Sequence, residues 1–150
     1  MIMDTKVIYL LAFVFLLFSC DPIAIEKSYR ISNNTNSDIE ILLFQNGENR
    51  QLNNYSNSET EIKKVSGLGT GGFGDIGIYD SIKLTLTSNS KFIVWINPGG
   101  LGYIDIDNNI GEERNVQKDI YNRKNWTLQT NGDDEEWIFK INWADLDLFE

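Results

Sequence analysis

Apolar and polar residues alternate in short blocks along most of this chain. Ile82, Leu84 and Leu86 are set against Lys83, Thr85 and Thr87 with a period of two, which turns one face of a strand to a core and the other to water. Near the end, Trp137, Phe139, Ile141 and Trp143 alternate in the same way with Ile138, Lys140 and Asn142. These blocks define strands at Ser81–Thr87 and Glu136–Asn142. Shorter or weaker ones place further strands at Ser28–Ser32, Ile39–Phe44, Glu59–Val65, Phe92–Ile96 and Trp126–Gln129. Clusters of Asn, Gly, Ser and Asp separate them. Asn131-Gly132 suits a tight hairpin because both residues tolerate positive φ, and Ser88-Asn89-Ser90 serves the same purpose before Phe92. The polar stretch Gln45–Ser58 reads as a long surface loop, and Ala144–Phe149 as one closing helical turn. The pattern predicts an all-β domain, an antiparallel β-sandwich of about seven strands, with a partly open β-barrel as the alternative.

One segment breaks the alternation. Val7–Phe18, VIYLLAFVFLLF, is apolar throughout and follows a short polar head. Its length fits the roughly 7 to 15 apolar residues of an export signal and falls short of the ~20 needed to span a bilayer. It ends in Leu17, Phe18, Ser19 and Cys20, a run that resembles the lipobox of bacterial lipoproteins. The resemblance implies that the Cys20 thiol receives a diacylglycerol and that the peptide bond before it is cut. Residues 1–19 are then a signal peptide, 20–26 a lipidated tether and 27–150 a single β domain. Each acyl chain contributes about 0.8 kcal/mol per buried methylene, so two or three chains anchor stably where one does not.

Composition narrows the chemistry. Cys20 is the only cysteine, so no internal disulfide can form and the core alone must hold the domain. Asp4 and Lys6 cancel, so the exported part keeps the full formal charge of -9. Such a domain repels nucleic acid and anionic lipid headgroups, and a partner steered by charge should be basic or a cation. The chain has no histidine, which removes Ser-His-Asp and Cys-His catalysis and nearly every zinc, copper or non-haem iron site. No catalytic residue and no cofactor are expected.

Several local motifs invite chemistry and lack its context. Gly67, Gly69 and Gly72 satisfy G-x-G-x-x-G, yet a dinucleotide site needs a helix after the glycines, and Ile76 and Ile78 lead into another strand. Asp105, Asp107 and Asn109 offer the alternating oxygens of a calcium loop, followed by Glu112 and Glu113. The sixth and twelfth positions are Ile110 and Val116 where glycine and a bidentate glutamate are wanted, so these residues are a weak calcium candidate only. Asn131, Asp133, Asp134 and Glu135 form a second acidic turn that a hairpin explains. Ser88 and Lys91 have the S-x-x-K spacing but sit in a turn and not at the start of a buried helix. Trp95, Trp126, Trp137 and Trp143 suggest sugar stacking, against which core packing is the stronger expectation in a domain without disulfides. Asn33, Asn54 and Asn125 open N-x-S/T triplets that carry no meaning in a bacterial chain.

Tyr29, Ile31, Asn33 and Thr35, then Asp80-Ser81-Ile82, then Trp137–Trp143 with Asp145 together resemble small diderm-bacterial envelope lipoproteins. The resemblance implies a cell-envelope location, with the membrane left open although Asp21 holds the position that influences sorting. It implies no activity. The expected function is a membrane-anchored, non-enzymatic binding or structural module, partnered by the membrane through Cys20 and by a protein or a glycan. The alternative is an acidic inhibitor or immunity protein against a basic toxin or lysozyme-like enzyme. The S-G-x-x-Y loop of lysozyme-inhibitor lipoproteins has its start in Ser66-Gly67 and Thr70 in place of the tyrosine.

Overall fold

A computed structural model describes residues 24–67, 73–99 and 118–150. The signal segment, Cys20, Gly69, Gly72 and the calcium candidates Asp105, Asp107 and Asn109 lie outside the described residues. Among the described residues there are eight strands: β1 Ile25–Asn33, β2 Ile39–Gln45, β3 Glu48–Asn54, β4 Ser58–Gly67, β5 Ser81–Leu86, β6 Phe92–Ile96, β7 Trp126–Asn131 and β8 Asp134–Ile141. They form two four-stranded sheets, ordered β4-β1-β8-β7 and β3-β2-β5-β6, and not a closed barrel. The fold is an all-β sandwich. All pairings are antiparallel except one: β1 and β8 run side by side in parallel, from Lys27 opposite Glu135 to Asn33 opposite Ile141.

The strand the sequence hid is β3. Asn46 and Gly47, with φ of 52° and 81°, make the two-residue hairpin that joins it to β2, so Gln45–Ser58 is not a loop. Both turn positions need positive φ, which Asn and Gly adopt at least cost. A second turn at Tyr55–Asn57, with Asn57 at φ 55°, leads into β4. β3 lies at a sheet edge and its one apolar residue, Leu52, is half-buried, so it carries the polar residues of an edge strand and no apolar alternation. A further difference is Asp75–Ile78, which forms a single 3-10 turn with Ile76 buried in the core, not the start of a strand. In the β7–β8 hairpin the loop residues are Gly132 and Asp133, with positive φ at Gly132, one step later than Asn131-Gly132 suggested.

The core fills the space between the sheets. β2, β5 and β6 contribute Ile39, Ile41, Leu43, Ile82, Leu84 and Trp95, all buried, against Tyr29, Ile31, Trp137, Phe139 and Ile141 of β1 and β8. Aromatic rings hold its centre. Trp126 meets Tyr29, Phe73 and Phe139 at centroid separations of 5.9, 5.4 and 5.3 Å, while Trp95 meets Phe139 edge-on at 5.5 Å. Each buried indole N–H has an acceptor: Trp95 bonds the Lys118 carbonyl at 2.9 Å, Trp126 the Ile120 carbonyl at 2.7 Å, and Trp137 the Glu135 carboxylate at 3.0 Å. Three of the four tryptophans are therefore core residues. Among the described residues the buried apolar ones lie between Tyr29 and Phe149, so a chain beginning at Asp21 contains all of them.

Among the described residues three buried tyrosines are expected to make the fold sensitive to alkali. Burial pushes the Tyr29, Tyr79 and Tyr121 phenols above their ordinary value, helped by Asp75 at Tyr29 and Asp119 at Tyr121. The unfolded chain ionises these phenols near pH ~10. Their contribution to stability is thus complete below about pH 10 and is lost as pH rises towards the folded values. The urea midpoint should fall steeply above about pH 10, and Tyr121→Phe should flatten that fall. A midpoint unchanged across this range would contradict the burial of all three.

Among the described residues no helix is long and apolar enough to cross a membrane.

Candidate functional site

β1 and β8 rise together from the end of the sandwich where β1 begins. That end also holds the β2–β3 and β7–β8 turns. The opposite, distal end gathers the connections 34–38, 55–57 and 87–91 and the closing segment 142–150.

These distal segments are tied to one another through three side chains or backbone groups at the β1–β2 connection. Asn33 is wholly buried, and its amide nitrogen lies 2.8 Å from the Ser37 carbonyl and 3.2 Å from those of Asn54 and Tyr55. Its amide oxygen accepts from Thr35 N at 3.1 Å and Thr35 Oγ1 at 2.8 Å. Asn54, also buried, donates to the Ile31 carbonyl at 3.0 Å. Asn34 binds the last strand, with its N–H on the Ile141 carbonyl at 2.8 Å and its side chain on Asn142 Oδ1 at 3.0 Å. Asp38 accepts from Ser56 N at 2.8 Å through its carboxylate and from Thr87 N at 3.0 Å through its carbonyl. Two of the N-x-S/T asparagines are thus interior brackets, not surface acceptors.

Two large aromatic side chains stand exposed on this fixed rim: Tyr55 at 62% and Trp143 at 57%. Trp143 leaves the core because β8 ends at Ile141. Asn142 N bonds the Asp145 carboxylate at 2.7 Å and turns the chain into the 3-10 segment Trp143–Leu148. The expected inward alternation of Trp143 therefore fails at the last step. Tyr55 gave no signal in the sequence because it sat within what read as a loop. Asn34, Asn57 and Asn142 belong to the same connecting segments, and the Asn34 amide already donates to Asn142 Oδ1, which leaves the remaining amide groups of the three as neutral donors and acceptors. This chemistry can stack on a ring face and hydrogen-bond hydroxyls.

Two other concavities differ. An open groove of about 740 Å³ runs along β3 and β4, lined by Arg50, Glu61, Ile62, Lys63 and Tyr79 among others. It includes a bulge: Tyr29 pairs with Lys63 and Arg30 with Glu61, leaving Ile62 out of the ladder. The Ile62 carbonyl accepts from the Tyr79 hydroxyl at 2.8 Å and from the Arg50 guanidinium, so the groove floor is committed to its own polar contacts. A smaller cleft of about 270 Å³ lies on the outer face of the first sheet. There Lys64 pairs with Glu26 at 2.9 Å, and Arg30 lies 2.8 Å from Glu136 and 3.9 Å from Glu59. The acidic turn is engaged too: Asp134 accepts from Glu26 N at 2.9 Å and Glu135 from Trp137.

Ser88 and Lys91 lie in the β5–β6 turn, apart from any helix, and Gly67 ends β4. Among the described residues no group of three or more His, Cys, Asp or Glu is gathered to hold a metal. In comparisons with known proteins the chain matches no family model, no curated protein and no solved structure.

Proposed function

We propose that this chain is an envelope lipoprotein, anchored by lipid on Cys20, whose distal rim binds a neutral, hydroxyl-rich ligand such as a glycan strand. The observation that carries the reading is the placement of exposed Tyr55 and Trp143 on the hydrogen-bonded rim opposite the start of β1. A tether that enters at β1 leaves that rim facing away from the membrane. Aromatic faces supply area, the asparagine amides supply direction, and no step of covalent chemistry is required.

The charge of -9 favours a second reading, an acidic inhibitor of a basic enzyme. It is the weaker one, since carboxylates of the acidic turn and of the first sheet are engaged by donors of the same chain.

The test is co-sedimentation of the domain from Asp21 onward with purified, insoluble cell-wall glycan at low and high salt. Retention should survive high salt and drop by about tenfold or more in Tyr55→Ala with Trp143→Ala, corresponding to at least ~1.4 kcal/mol. No retention, or retention that salt abolishes and the double substitution leaves intact, would reject the rim. In the full chain, Cys20→Ser should move the protein from the membrane to the soluble fraction. Retention at the membrane would reject the anchor independently of the rim.

A further inference from the structure

Trp143 stands where the chain has just left β8. The other three tryptophans are buried with their indole N–H groups on acceptors, whereas Trp143 is exposed and is held through its backbone instead. Asn142 and Asp145 hold it by a reciprocal pair: Asn142 N donates to the Asp145 carboxylate at 2.7 Å, and the Asn142 side chain accepts from the Asp145 backbone. Trp143 and Ala144 are the two residues enclosed between them. Downstream, Leu146 packs against the core and Phe149 is buried in it.

This reciprocal pair is tied in turn to the core. The Asp145 Oδ2 that accepts from Asn142 N also meets the Lys118 ammonium, and the two side chains are only 16% and 18% exposed. Lys118 is itself fixed. Its ammonium lies 5.5 Å from the centre of the Phe139 ring, and its carbonyl accepts from the Trp95 indole at 2.9 Å. Its backbone has a φ of 45°, a left-handed conformation that a lysine keeps only where its surroundings hold it. Phe139 and Trp95 belong to opposite sheets, so Lys118 bears on both. On the other side, Asn142 Oδ1 accepts from Asn34 Nδ2 at 3.0 Å, and Asn34 N bonds the Ile141 carbonyl at 2.8 Å. A line of polar contacts therefore runs from Asn34 through Asn142 and Asp145 to Lys118, with the exposed indole at its middle.

We infer that Lys118 and Asp145 are positioning residues of the rim, which hold Trp143 ready as a fixed stacking platform. The inference rests on the reading of the rim as a glycan site and adds the device that sets its affinity. A ring that must be ordered when the ligand arrives gives back part of its stacking energy, and a ring ordered beforehand does not. With 142–145 locked, only the two side-chain torsions of Trp143 remain to be fixed. The clamp is strong because both contacts to the Asp145 carboxylate are charge-assisted and largely shielded from water. Losing either partner would leave a mostly buried charge without its counterpart. The Glu26–Lys64 pair, with both side chains 48% exposed, has no such leverage. Neither Lys118 nor Asp145 needs to touch the ligand for this role.

The test is nitrogen-15 relaxation of the domain from Asp21 onward, read at the Trp143 and Ala144 amides, beside co-sedimentation with purified cell-wall glycan. In the unaltered domain these amides should have order parameters near ~0.85, as rigid backbone does. Asp145→Ala and Lys118→Met should lower them below about 0.6 at these two residues while β2 and β5 keep their rigid values. Each should also weaken glycan retention by about threefold or more. Lys118→Arg, which keeps the charge, should preserve both order and retention. A general loss of stability would not single out Trp143 and Ala144. Order parameters unchanged in both variants overturn the inference, and so does a loss of order that leaves retention as it was. Retention indifferent even to Trp143→Ala rejects the rim instead, and the relaxation data then still decide whether the pair fixes Trp143.

Discussion

Phe139→Ala is expected to cost about 4 kcal/mol of folding free energy. The side chain is completely buried on β8, flanked in its own sheet by β1 and β7, and it touches rings from both sheets: Trp95 at 5.5 Å and Trp126 at 5.3 Å. Removing it opens a cavity between two indoles whose N–H groups are held by backbone carbonyls at 2.9 and 2.7 Å. Those bonds resist the collapse that would otherwise soften the loss. Domains of this size are stable by only about 5–15 kcal/mol, and this one has no disulfide to restrict its unfolded state. A fall in the thermal midpoint of about 15 °C should follow. Phe139→Leu, which keeps most of the volume, should cost only about 1.5 kcal/mol. Equilibrium urea denaturation of the domain from Asp21 measures both. A loss under about 1 kcal/mol for the alanine variant would mean that the two aromatic groups are not joined through this ring.

The second large effect is expected at a polar side chain. Asn33→Ala deletes the amide that serves the Ser37, Asn54 and Tyr55 carbonyls and the oxygen that accepts from Thr35. Buried groups left without partners cost about 1–3 kcal/mol each, and the more exposed ones regain water. The expected net loss is about 3 kcal/mol. Its distribution is the informative part. Amide hydrogen exchange should accelerate at 34–38 and 55–57 and stay slow in β5, because Asn33 brackets the distal turns and not the second sheet's interior. Asn33→Asp should be worse at neutral pH, since it aims a carboxylate at three carbonyl oxygens. Burial and those oxygens raise its folded pKa above the unfolded value, so the variant should recover some stability as pH falls. Uniform acceleration of exchange across both sheets would show that Asn33 acts on global stability alone.

How legible these features were depends on where each residue sits. β5 and β8 were plain from alternation because one face of each is buried and the other wet. β3 was invisible because an edge strand with only Leu52 half-buried has no apolar period to show. The Asn46-Gly47 pair is its one local signal, and it lies within a polar stretch that has no apolar alternation beyond the pair to frame a hairpin. Trp143 was assigned to the wrong side because a period of two says nothing about where a strand stops. The stop is a backbone-to-carboxylate bond between Asn142 and Asp145. The rim was illegible for a different reason: Asn33, Asn54 and Asp38 act on partners as far as 49 positions away in the chain, and no local pattern records such contacts. The exposed Phe92, Val94 and Ile96 follow from FIVWI, which is apolar on both parities and so must turn some of its apolar residues outward.

The parallel pairing of β1 with β8 has a consequence for the order of events in synthesis. β1 is an inner strand, with β4 on one side and β8 on the other. The second of those ladders needs residues up to Ile141, almost the whole chain. Until they leave the ribosome, Tyr29, Ile31 and their neighbours have only half a sheet to lie in, and contacts of such long sequence separation form slowly. The growing chain therefore cannot complete the first sheet, and with it the core, until residues up to Ile141 have been made.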